Sequence, residues 1–164
     1  DFSRVLCRSY KRPEATAKEF VGEWFKTGDR GYLDDDGYLY FVDRKKEAIR
    51  RRGENISAYE VELILSRHPA ILEVAAIPVA SEMSEDDVMV YVVKKPGDPL
   101  THADVVHFAA EHMSYFMVPR FVDFIDKLPK TASEKLEKYK LKQDALARRA
   151  ELWDREREGI EVKR

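Results

Sequence analysis

The chain contains a single cysteine, Cys7, among 164 residues. No internal disulfide is therefore possible, and a reducing, cytoplasmic compartment is the expectation. Long apolar runs able to span a bilayer are missing, as is a charged-then-apolar start of the signal-peptide kind. Charge of one sign is not in excess: 29 basic and 31 acidic residues give a net charge of −2. No global positive field draws the chain to nucleic acid. A P-loop, a dinucleotide-binding glycine fingerprint and a nucleophile elbow are all absent, which removes three common routes to nucleotide or acyl chemistry. There is no repeat or low-complexity tract. The chain starts at Asp1 rather than Met, and a piece of a longer polypeptide is expected.

Apolar residues make up 44% of the sequence, enough for one ordinary core. Pro13 and Glu14 suit the first turn of a short helix over 13–21. Aromatic and β-branched residues then flank Asp34-Asp35-Asp36-Gly37, a hairpin signature. Ser57 with Glu60 reads as a capping box ahead of an apolar stripe at Val61, Ile64 and Leu65. "ILEVAAIPV" (71–79), "DVMVYVVKK" (87–95) and "RFVDFID" (120–126) predict strands, and a second amphipathic helix is expected from Thr101 through Ser114. Residues 136–158 are highly charged and helical in propensity. The mixture predicts an α+β domain. Its central mixed sheet of about three core strands plus a hairpin would be flanked by helices, and a short β-hairpin segment would precede it.

Positive charge is concentrated in "VDRKKEAIRRRGENIS" (42–57), where residues 43–52 hold six cations and two acids. Local charge of this kind favours a site over a coat, with a solvated charged hairpin as the alternative. Two other signals fail on spacing. A calcium loop aligned on Gly37 would put Tyr32 at the first acidic position, so a turn is the better reading. His107 and His112 are five apart, about 140° around a helix, and do not face one metal. Thr27-Gly28-Asp29 offers a carboxylate able to accept hydrogen bonds from vicinal hydroxyls, as a ribose presents. In "LPKTASEKLEKYKL", Lys135 lies near a loop–helix junction, from which a mobile ammonium can reach a phosphate or carboxylate.

Taken in order, "WFKTGD", "GYLYFVDRKKEAIRRRGENISAYEVE" and "LPKTASEKLEKYKL" resemble the signatures of the adenylate-forming acyl-CoA synthetases. The likeness runs from about Tyr10 to Leu141, and within the family the carnitine-type and medium- or short-chain CoA ligases fit best. The resemblance implies that ATP activates a carboxylic acid as an acyl-adenylate, and that the thiol of coenzyme A then displaces AMP. It implies three segments: 1–43 ending a large N-terminal adenylation domain, 44–141 forming a mobile C-terminal domain, and 142–164 a charged helical tail. Partners would be the acid, ATP, CoA and the chain's own N-terminal domain. Contacts to Mg²⁺ are expected in that N-terminal part, and the chain alone would be inactive.

The same resemblance assigns roles. Asp29 takes the ribose-binding carboxylate, Arg44 the nucleotide-contacting arginine and Lys46 the hinge position. Arg50 and Asn55 contact the adenylate, Arg52 and Gly53 line the route of the CoA arm, and Lys135 is required for adenylation. Lys45 and Arg51 receive no role beyond solvated surface charge. Glu134 stands where the family has Gly, which restricts the lysine loop, and Lys138 and Lys140 are the substitutes for Lys135. Two alternatives remain: a nucleic-acid-binding α+β module using 44–52, and a stand-alone regulatory domain of the same fold.

Overall fold

A computed structural model of the chain describes residues 13–22, 24–44, 47–81 and 85–162. Two compact units divide between Lys46 and Glu47. The first contains α1 (Pro13–Glu19), β1 (Phe20–Val21), β2 (Trp24–Phe25), β3 (Asp29–Leu33) and β4 (Leu39–Arg44). Strands β3 and β4 form the antiparallel hairpin expected around Asp34-Gly37. The Asp34 carboxylate accepts the amides of Tyr38 (2.8 Å) and Asp36 (3.1 Å), so the turn's own backbone uses it. Those bonds, the Tyr38 one foremost, hold its pKa below the usual carboxylate value. The ladder slips between Arg30 and Gly31. A Cβ on Gly31 would stand 2.5 Å from the Tyr40 carbonyl oxygen, so only glycine fits this bulge.

The second unit runs β5 (Ala48–Arg51), β6 (Glu54–Ser57), α2 (Ala58–Leu65), β7 (Ile71–Ala80), β8 (Asp86–Lys94), α3 (His102–His112), β9 (Phe121–Phe124), α4 (Lys138–Ala147) and β10 (Trp153–Asp154). Its main sheet has the order β10-β9-β8-β7. Strands β8 and β9 are parallel and the other two pairs antiparallel, giving the mixed sheet of an α+β domain. A two-stranded hairpin, β5–β6, accompanies it. Ser57 Oγ accepts the Glu60 amide at the start of α2, and Thr101 with Asp104 makes a complete capping box on α3.

Strand β8 explains the layering. Its interior is buried along both faces, as its near-continuous apolar run requires. Val88, Val90 and Val92 pack with Val61, Leu65, Val105 and Ala109 of α2 and α3, and with Ile49 and Ile56 of the hairpin. Met89, Tyr91 and Val93 point the other way, onto Leu141 and Ala145 of α4. The period-two alternation of one strand thus divides a single sheet between two cores. Tyr91 donates its hydroxyl to Asp144 at 2.6 Å, and burial with that bond pushes its pKa up.

The charged tail departs from the sequence reading. Helix α4 stops at Ala147, and Trp153–Asp154 joins the sheet edge as β10 instead of continuing a helix. Leu152, Asp154 and Arg155 are buried. Propensity favours a charged helix here, but the charge of Asp154 is taken up by Arg120, at 2.8 Å.

Arg51 also departs from its expected place on the surface. It is only 3% exposed. Its Nε lies 3.3 Å from Asp87 Oδ1, and its Nη1 donates to the carbonyls of Val118 (2.9 Å) and Phe116 (3.3 Å). Arg120 continues the network from Asp87, at 3.0 Å, to Asp154. Residues on β5, β8 and β10 are therefore tied together by alternating charges. Burial lowers the pKa of Arg51, with Asp87 opposing that shift. Removing one member of such a pair leaves an uncompensated buried charge. Arg51→Ala is expected to cost about 3–5 kcal/mol of stability, whereas Arg50→Ala, on the exposed face, should stay within about 0.5 kcal/mol. Urea unfolding of the two variants against the parent chain measures both.

Candidate functional site

Hairpin β5–β6 presents four of the residues singled out in the sequence. Ile49 pairs with Ile56 and both are buried, so the alternation turns the next pair, Arg50 with Asn55, outward. Arg52 and Gly53 are the two central residues of the connection, with φ of 53° and 78°. Positive φ at both positions is the type I′ pattern, whose twist suits a two-residue hairpin. Glycine takes this backbone freely, but arginine at the first position is strained by about 1–2 kcal/mol. A Cβ at Gly53 would meet nothing within 4 Å, so the chain requires glycine there for its dihedral, not for space.

Three consecutive acids at the head of β8 hold this tip. Glu85 accepts the amides of both Arg52 and Gly53, the latter at 3.2 Å. Asp86 accepts the amide of Arg50 at 3.3 Å, and Asp87 pairs with the Arg51 side chain. The Arg52 guanidinium lies 5.8 Å from the Tyr115 ring centroid. Both border a pocket of about 380 Å³ with Arg155, Glu156 and Ile160. The three arginines 50–52 therefore do not form one basic surface: Arg50 and Arg52 are exposed, and Arg51 is inside.

Lys135 sits in a tight loop closed by a bridge between Lys130 and Leu136. The Thr131 amide donates to the Lys135 carbonyl (2.9 Å), and Thr131 Oγ1 accepts the Lys135 amide (3.2 Å). Glu134 has φ of 60°, the left-handed region that glycine occupies without strain. The restriction expected from losing the family's Gly is therefore located in the backbone at this residue. The Glu134 carboxylate lies 3.7 Å from Lys130.

The lysines around this loop differ in what they touch. Lys130 pairs with Glu73 at 2.8 Å, and Lys140 with Glu137 at 2.5 Å. Lys138 is held between Glu47 (3.0 Å) and Glu62 (2.8 Å), with its side chain 13% exposed. Lys135 is exposed and makes no ion pair with a carboxylate among the described residues. Lys138 and Lys140 are thus poor substitutes, their charges being already engaged. Burial raises the pKa of Glu62, while Lys138 and the Ala76 amide oppose the shift. The Lys138–Glu47 pair also links the start of α4 to the residue before β5, so the lysine loop and the charged hairpin share an anchor.

In the first unit, Asp29 and Arg44 are direct partners across the β3–β4 ladder. The Asp29 amide donates to Thr27 Oγ1 at 3.1 Å, and Gly28 has a φ of 78° that shapes this corner. The proposed hinge residue Lys46 lies outside the described residues, as does Lys45. Sequence reasoning missed the acids 85–87 and the ion pairs that engage Arg51 and Lys138. "EDD" directly before an apolar strand was the available signal, since it matches in charge the "RRR" whose partner was not sought.

Comparison with known proteins bears on this arrangement. Residues 60–135 match the family described as AMP-binding enzyme C-terminal domain. The chain is 40% identical over 134 residues to crotonobetaine/carnitine–CoA ligases of Salmonella typhimurium and Citrobacter koseri, covering 81% of this chain and 26% of each relative. Among solved structures, ATP-bound MatB from Rhodopseudomonas palustris is similar with a TM-score of 0.77 at 29% identity, over 83% of this chain and 27% of that one. The o-succinylbenzoate CoA synthetase MenE of Bacillus subtilis, in complex with the acyl-adenylate intermediate OSB-AMP, is similar with a TM-score of 0.74 at 33% identity, over 81% and 27%. The chain spans about a quarter of the length of the relatives it matches.

Two measurements test the local physics. Glu134→Gly should stabilise the unit by about 0.5–1 kcal/mol, the relief of left-handed strain less the added entropy of the unfolded chain; the urea midpoint reads it. For Glu62, the folded pKa lies above the unfolded value, so the folded state binds more protons in the interval between them. Stability from this group therefore falls as pH rises from the ordinary value of 4.5 through the raised one. A pH series of unfolding should show that decline in the parent and lose that component in Glu62→Gln.

Proposed function

From the match of residues 60–135 to the AMP-binding enzyme C-terminal domain family, we propose that the chain is the C-terminal part of an ATP-dependent acyl-CoA ligase. The observation that carries this reading is the 40% identity to crotonobetaine/carnitine–CoA ligases across 134 residues. In the first step, a carboxylate oxygen of the substrate acid attacks the α-phosphorus of ATP, and the bond to the leaving pyrophosphate breaks. In the second, the thiolate of CoA attacks the acyl carbon, and AMP leaves with the electron pair of the broken acyl–oxygen bond.

Lys135 supplies positive charge to the first step. Carboxylate attack on a polyphosphate brings anions together, and a cation placed on the developing charge lowers the barrier. Its exposure and its lack of a carboxylate partner among the described residues suit that task. Asp29 is assigned to the ribose hydroxyls and Arg44 to the nucleotide, and their pairing across β3–β4 supports a joint role. Arg50 and Asn55 are assigned to the adenylate in the thioester-forming arrangement, with Arg52 and Gly53 along the CoA arm. Their common place on one hairpin supports assigning them to the same step. Lys46 is assigned the hinge. The domain division is proposed to follow the two units, the first ending the adenylation domain and the second, from Glu47, forming the mobile domain with β10 as part of its sheet.

Among the described residues no group of three or more His, Cys, Asp or Glu is placed to hold a metal. Magnesium is proposed to accompany the ATP phosphates, with its protein contacts in the N-terminal domain. No described helix is long and apolar enough to cross a membrane. A cytoplasmic location is proposed because a lone cysteine suits a reducing compartment.

In the ligase carrying this chain, Lys135→Ala should lower pyrophosphate release on adenylation by about 10²–10³-fold. Thioester formation from supplied acyl-adenylate and CoA should persist. Equal loss of both steps would overturn the assignment. The 164-residue chain alone, given ATP, CoA and a panel of carboxylic acids, should form no acyl-CoA.

A further inference from the structure

The turn at Arg52-Gly53 has a backbone that its own sequence does not favour. Type I′ connections prefer Asn, Asp or Gly at the first central position, and here Arg52 holds φ of 53°. A strained backbone of this kind persists only where its surroundings over-determine it. The surroundings in this case are one carboxylate: Glu85 accepts the amides of Arg52 and Gly53, from 33 and 32 residues away in the chain. Asp86 adds the Arg50 amide.

We propose that Glu85 is a positioning residue for the thioester-forming step, acting through the hairpin tip. A carboxylate that collects two successive amides, one on each oxygen, favours the turn in which both N–H groups face the same side. Without it, the tip is free to relax toward turns with negative φ at Arg52, which would swing the Arg52 side chain and the Gly53 backbone away from their present directions. Asp87 cannot take over, because it is committed to Arg51 and Arg120. Glu85 is only half-buried and lies before β8, outside both hydrophobic clusters, so its work is local to the tip. The role in the thioester step rests on the ligase reading, whereas the clamp on the turn does not.

Two arms separate those claims. In the first, amide exchange at Arg52 and Gly53 is followed by NMR in the 164-residue chain. Glu85→Ala should speed exchange at both amides by about tenfold, with Glu85→Gln intermediate; unchanged rates overturn the clamp. In the second, the ligase carrying this chain is assayed for each step. Glu85→Ala should lower kcat/KM for CoA, with supplied acyl-adenylate, by about tenfold and leave pyrophosphate release on adenylation within about twofold. Glu85→Gln, which keeps the side-chain shape, should fall between, and it serves if the alanine variant does not fold. No loss in either step, or equal loss in both, overturns the positioning role. A parent enzyme that performs neither step would overturn the ligase reading while leaving the clamp to stand or fall on the exchange rates.

Discussion

The charged hairpin of the second unit hangs from the buried guanidinium of Arg51. Taking a cation out of water is costly unless its charge and its hydrogen bonds are met, and Arg51 meets both through Asp87 and the carbonyls of Phe116 and Val118. A guanidinium suits this place because its planar fork reaches several acceptors at once. Asp87 is shared with Arg120, which reaches Asp154 at the far edge of the sheet. The hairpin is therefore not an appendage: its register is fixed relative to β8 and β10 by alternating charges.

From that anchor follows the division of labour along "RRRG". A strand alternates its side chains, so burying Arg51 exposes its neighbours. Arg50 faces outward beside Asn55, and Arg52 falls in the turn with Gly53. The negative residues of this region complement it: the acids 85–87 act on the backbone and inner side chain of the hairpin, and the outward guanidiniums of Arg50 and Arg52 stay exposed. A similar economy governs the lysines from 130 to 140, where three are paired with glutamates and Lys135 is displayed on a tight loop.

For the ligase reading, this gives one small domain two distinct cationic features. The loop with Lys135 suits charge developing on phosphate, and the hairpin with Arg50 and Arg52 suits a thioester-forming arrangement. Lys138, paired with Glu47 at 3.0 Å just before β5, connects the two through an ion pair. A domain that presents different features in different steps needs internal rigidity as much as a hinge, and these ion pairs supply it.

Periodicity made much of the fold legible in advance. Strands β7, β8 and β9, helices α2 and α3, and the Asp34 turn follow from alternation, capping residues and turn chemistry, which act over a few neighbouring residues. The spacing of "TGD", the basic stretch and the lysine loop likewise pointed to the family. What lay beyond local reasoning was which charges are spent on the fold. Arg51 and Arg50 look alike in a sequence, and the tail after Ala147 looks like a charged helix. Only the arrival of Asp87, Arg120 and Glu85 from distant positions makes one arginine a core residue, another a strained turn residue, and Asp154 part of a strand. Hydrophobic pattern is written along the chain and fixes the elements; the pairing of charges depends on which elements meet, and the tertiary structure alone decides it.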